Sequence, residues 1–150
     1  MRAVCDSAPL ISAARDQDGA HALARDLLAV LGRDALVPEP VLVEVDQMLR
    51  RWATPRQARG LMRAAAQGWF TVVYTSPNIL RRAVQIDAQY ADLNLGLVDA
   101  TVMAVAERER LPIFTFDFRD FRAAPPLDGG TWDLLVEEAT LHRSLQHRDI

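Results

Sequence analysis

An open α/β fold on a parallel sheet is the architecture this sequence predicts, and three observations predict it. Short apolar runs rich in β-branched or aromatic residues alternate with longer stretches of helical periodicity, the order that yields parallel sheets. Proline, glycine and Ser/Thr stand at the joints between them, where helices start and stop. Finally, acidic residues sit just past strand candidates or near helix starts, on the edge of an α/β sheet where ligands bind.

The elements follow in order. Met1 to Asp6, MRAVCD, reads as a strand with Asp6 at its carboxyl end, and Ser7 and Pro9 open the next helical turns. Asp6 or Ser7 could simply cap that helix; Ser7 could also hold a carboxylate or water in place. Gln17 to Leu31 reads as an amphipathic helix with Ala20, Leu23, Ala24, Leu27, Leu28 and Leu31 on one face, closed by Gly32. His21 borders that stripe, with no partner at zinc-ligand spacing. Ala35 to Val37 is a short strand. Pro40 suits the first turn of a helix that places Val41, Leu42, Val45, Met48, Leu49 and Trp52 inward. Glu44 lies near that apolar face, where an acid must be paired, bind a metal or sit at the rim.

Thr54-Pro55 caps a helix to Gln67 whose Arg56, Arg59 and Arg63 read as a solvated face. Trp69 to Thr75, WFTVVYT, is a strand, with Trp69 and Tyr74 read as core or edge packing. Ser76-Pro77 opens a helix to about Tyr90 with Ile79, Leu80, Ala83, Val84 and Ile86 inward. Leu95 to Phe121 is the centre of the argument: a helix with Asp99 at its head, a break at Pro112, a strand of Ile113, Phe114 and Phe116, and Asp117 at its carboxyl end. Ala123 to Gly130 is a loop, Trp132 to Val136 a last edge strand, and the remainder a polar helix or tail with His142 and His147 exposed.

Composition bounds the function. The chain has 150 residues, one domain's worth, with 50% hydrophobic and 25% charged residues, as in a globular protein that fills its own core. No apolar run has the length of a membrane span and no secretory signal is expected, so a cytoplasmic location is. The lone Cys5 excludes an internal disulfide. All 17 positive side chains are arginine. Without lysine there is no P-loop, and a receiver-type phosphoacceptor domain lacks its lysine. The net charge of −3 does not by itself favour nucleic acid.

Asp6, Glu44, Asp99 and Asp117 are the candidate site. In a parallel α/β sheet, strand ends and helix N-termini share one edge, so these four can meet. At 4 Å, two like charges repel by about 4 kcal/mol at an effective dielectric near 20, so such a cluster protonates, separates or binds a cation. An oxygen-only donor set points to Mg²⁺, with Mn²⁺ possible, and no histidine or cysteine cluster suggests zinc.

With these residues in place, the sequence resembles the PIN-domain ribonucleases, and more narrowly the VapC toxins of type II toxin–antitoxin pairs. The matching residues are Asp6-Ser7, Glu44 within VLVEV, Asp99 in LGLVDATVMAVAE and Asp117 in IFTFDFRDF, and they span nearly the whole chain. The resemblance implies a single PIN domain over 1–150: a three-layer α/β/α fold around a mainly parallel sheet of four to five strands. It implies a Mg²⁺-dependent endoribonuclease acting on structured cellular RNA such as tRNA or rRNA, a homodimer and a VapB-type antitoxin. Asp6, Asp99 and Asp117 match the metal-holding acids, Glu44 the acid that positions metal-bound water, and Thr115 a small hydroxyl residue supporting the site. Asp92 and Asp120 have less regular counterparts and stay outside the core set. A PIN-like module that binds RNA or protein without cutting is the alternative.

Overall fold

The computed structural model describes residues 1–147. Its sheet contains β1 (Ala3–Cys5), β2 (Ala35–Pro38), β3 (Thr71–Val73) and β4 (Ile113–Phe114), ordered β3-β2-β1-β4 and parallel throughout. The helices between and after them are α1 (Ser7–Ala14), α2 (His21–Leu31), α3 (Glu39–Trp52), α4 (Pro55–Ala66), α5 (Pro77–Gln89), α6 (Gly96–Glu109), α7 (Phe118–Ala123) and α8 (Glu138–Gln146).

Every residue of β1, β2 and β4 is buried, whereas the edge strand β3 is partly open. Strands buried on both faces need helices on both faces, which gives the three-layer α/β/α arrangement expected from the sequence. α6 lies deepest: Ala100 through Ala106 are all buried, so this helix is covered all round and packs on β1, β2, α3 and α5. The first three strands step outward from β1 in one direction, and β4 returns to its other side. The strand order therefore reverses between β1 and β4, and the crevice at their carboxyl ends is the topological switch point.

Local chemistry sets the boundaries. Thr54 and Gln57 form a reciprocal capping box at α4, and Ser76 Oγ accepts from the Ile79 amide at α5. Gly32, at φ 52°, closes α2 in a conformation that a side chain would disfavour. His21 is a boundary residue, its Nδ1 lying 2.9 Å from the Ser12 carbonyl.

Four expectations need correction. Trp132 to Val136 is no strand: only Leu134 pairs, in a single parallel bridge to Ile113. Phe116 lies outside β4, because the chain turns toward α7 once Thr115 is passed. Met48, Trp52, Leu80 and Val84 are exposed rather than inward, since α3 buries only Val41, Val45 and Leu49, and α5 only Ile79, Ala83 and Ile86. Trp69 and Tyr74 flank β3 and project into solvent, at 69% and 72% exposure. The polar tail contains α8, with His142 and His147 exposed as expected, while residues 148–150 lie outside the described residues.

Candidate active site

Asp6 follows β1 directly, and its amide donates to the Phe114 carbonyl of β4 at 2.9 Å, which seats it across the switch point. It occupies the N-cap of α1 yet makes no side-chain capping bond. Its carboxylate instead accepts from Thr115 Oγ1 at 2.8 Å. Thr115 is fully buried, and the same hydroxyl oxygen accepts from the Asp117 amide at 2.9 Å. One hydroxyl, acting as donor and acceptor at once, thus ties the first acid to the backbone of the last.

Asp117 caps α7, its Oδ1 accepting from the Asp120 amide at 3.3 Å. Asp99 stands in the first turn of α6, where the helix dipole favours a negative charge. Glu44, half-buried one turn into α3, accepts through Oε2 from Ser7 Oγ at the start of α1. Ser7 is therefore a positioning group for Glu44, as Thr115 is for Asp6. Asp92 is exposed on the turn Ala91–Leu93, outside the cluster.

The electrostatics place these groups in one field. Burial pushes the Asp6 carboxyl up to about 6; the Thr115 hydroxyl and the Ser7 amide pull it down, while Asp117 and Glu44 push it further up. Asp99 is raised to about 7, first by burial and then by Asp6, Asp117, Asp120 and Glu44. The four acids read from the sequence therefore share one cleft. Asp120 joins them and is itself raised, by burial first and then by Asp117, with Arg119 opposing. Carboxylate oxygens of Asp99, Asp117 and Asp120 all lie within 4.8 Å of one another. At that distance each pair of charges repels by about 3.5 kcal/mol at an effective dielectric near 20. Among the described residues, no ion pair reaches any of these acids. An oxygen-only donor set under mutual repulsion, with no protein cation to relieve it, fits a hard divalent ion.

Sequence reasoning left Asp120 out. The signal was D-x-x-D directly after a strand, the spacing of an N-cap and its N3 residue, which brings both side chains to one helix end. A second cavity, about 450 Å³ and mostly apolar, lies elsewhere between α1, α2 and α4 beside Trp69 and Phe70, and contributes none of the cluster acids.

Fold and cleft together define an α/β protein with an acid cluster at its switch point, suited to a divalent cation. The chain belongs to the PIN domain family, which it matches over residues 3–125. It is similar to the Mycobacterium tuberculosis protein named Ribonuclease VapC26, at 29% identity over 104 residues, 68% of this chain and 77% of that one. The fold recurs in Mycobacterium tuberculosis VapC20, described as a sarcin–ricin-loop-cleaving toxin, with a TM-score of 0.72 at 19% identity over 80% of this chain and 93% of that one. It recurs too in a Klebsiella pneumoniae toxin–antitoxin complex, with a TM-score of 0.60 at 23% identity over 82% of this chain and 92% of that one. Rickettsia felis VapBC2, solved bound to a fragment of its promoter DNA, gives 0.63 at 16% identity over 89% of this chain and 100% of that one.

Proposed function

We propose that this chain is a divalent-metal-dependent endoribonuclease toxin of the VapC kind, cutting a structured cellular RNA in the cytoplasm and neutralised by a VapB-type antitoxin. The observation that carries the reading is the meeting of Asp6, Glu44, Asp99 and Asp117 in one cleft. The ribonuclease relative, and neighbours described as toxins or toxin–antitoxin complexes, support it.

Asp99 and Asp117 would hold Mg²⁺ or Mn²⁺, with Asp6 completing the set. A bound ion of this type polarises a phosphoryl oxygen, lowers the pKa of an attacking water and stabilises the leaving oxygen. The chain's own residues do the positioning. Thr115 fixes the Asp6 carboxylate and the Asp117 backbone relative to each other. Ser7 engages Glu44 Oε2, leaving Oε1 to orient a water and take its proton. A homodimer fits the apolar side chains that α3 and α5 leave exposed, Trp52 and Val84 among them. No helix among the described residues is long and apolar enough to cross a membrane.

Incubation of purified protein with total tRNA and rRNA tests the reading. Discrete cleavage is expected with Mg²⁺ or Mn²⁺, and none in chelator or in Asp99→Asn. Full cleavage by that variant overturns the mechanism, and RNA binding without any cleavage by the wild type supports a module that binds only.

A further inference from the structure

Asp120 occupies the N3 position of α7, three residues after the N-cap Asp117. In a capping box an acid at N3 turns back to the N-cap amide. Here that amide is already engaged by Thr115 Oγ1 at 2.9 Å, so the capping role of the Asp120 side chain is taken. Only the Asp120 backbone takes part, its amide donating to Asp117 Oδ1. No ion pair claims its carboxylate either. Arg122, one turn of chain away, is drawn off to Glu138 at 2.6 Å and lies over the Phe118 ring.

The other acids differ from it in how they are held. Asp6 is 5% exposed and accepts from Thr115; Glu44 accepts from Ser7. Among the described residues, the three acids that bring oxygens within 4.8 Å of one another are Asp99, Asp117 and Asp120. All three are half-buried, open enough to exchange water for a ligand bond.

We propose that Asp120 is a direct ligand of the divalent ion, joining Asp99 and Asp117, with Asp6 and Glu44 held behind them by their hydroxyl partners. The inference rests on the metal-dependent reading above and deepens it. The D-x-x-D start of α7 then serves one ion with two carboxylates from a single helical turn. Mg²⁺ commonly takes one or two carboxylates and keeps several waters, so recruiting a further ligand from α7 favours the larger, less strict Mn²⁺.

The test is calorimetric titration of Mn²⁺ into the metal-stripped full chain. Asp120→Asn is expected to weaken binding at least tenfold, comparably to Asp117→Asn, while Asp92→Asn on the exposed turn stays within twofold of the wild type. Asp120→Asn preserves the backbone bond to Asp117, and Asp120→Ser, a second neutral variant, is expected to show the same loss. The titration is repeated at about 0.05 and 0.5 M salt, since screening suppresses the influence of a charge that is not a ligand. A deficit that persists at high salt supports direct ligation. Wild-type affinity in Asp120→Asn, or a deficit that vanishes at high salt, overturns the inference and leaves the metal-dependent reading standing. Failure of the wild type to bind Mn²⁺ overturns both.

Discussion

Replacing Asp99 with asparagine should strengthen the metal-free fold while ending cleavage. Folding raises the Asp99 carboxyl from 3.8 to about 7, through burial and then the neighbouring acids. Between about pH 4 and 7 the native state therefore binds the proton more strongly than the unfolded chain, and stability falls as pH rises through that window. Above it, the ionised group opposes folding in full. Three pKa units would correspond to about 4 kcal/mol at 1.36 kcal/mol each. Asp99 is only half-buried, and discounting for solvent screening leaves about 1–2 kcal/mol. For a chain of this size that is a rise in Tm of about 2–8 °C. The assay is thermal unfolding in chelator at pH 8 and at pH 5. The gain of Asp99→Asn over the wild type should be full at pH 8 and shrink by more than half at pH 5, where the native carboxyl already carries its proton. Mn²⁺ at 100 times its Kd would stabilise the wild type by about 2.7 kcal/mol and cancel the advantage. A variant less stable than the wild type at pH 8 in chelator, or a gain indifferent to pH, refutes the claim that like charges crowd this cleft.

Thr115→Val strands the Asp117 amide and strips Asp6 of its hydroxyl donor, so it should cost about 1–3 kcal/mol in denaturant unfolding and lower cleavage at least tenfold; unchanged activity would deny Thr115 its positioning role. Thr54→Ala removes one side of the capping box at α4 and should cost about 1 kcal/mol by the same unfolding measurement, with kcat unaffected because α4 contributes no acid. Cys5 is fully buried beside Asp6 and its thiol is pushed up to about 12, so it should resist alkylation at pH 8 until the protein unfolds. Rapid labelling of the native protein would show that β1 is not locked in the centre of the sheet.

The convergence of the four acids was legible because each is fixed by strong local punctuation. Asp6 stands between an apolar run and Ser7-Pro9, Asp99 opens a helix, Asp117 follows the strand after Pro112, and Glu44 interrupts VLVEV. Their roles as ligands remain the proposal made above. Asp120 was hidden because an N-cap followed by an acid at N3 reads equally well as a capping pair; only the Thr115 hydrogen bond shows that this capping role is filled. Trp52 and Val84 were misplaced because helical periodicity reports an apolar stripe, not which part of it the same chain covers. The run Trp132 to Val136 has strand composition, but composition names no pairing partner, and only Leu134 finds one.

Anomalous diffraction from crystals of the full chain grown with Mn²⁺ tests the central claim most directly. A peak between the carboxylates of Asp99 and Asp117, within reach of Asp6, is the predicted result. A fully occupied ion bound elsewhere, with these side chains turned to separate surfaces, would contradict it.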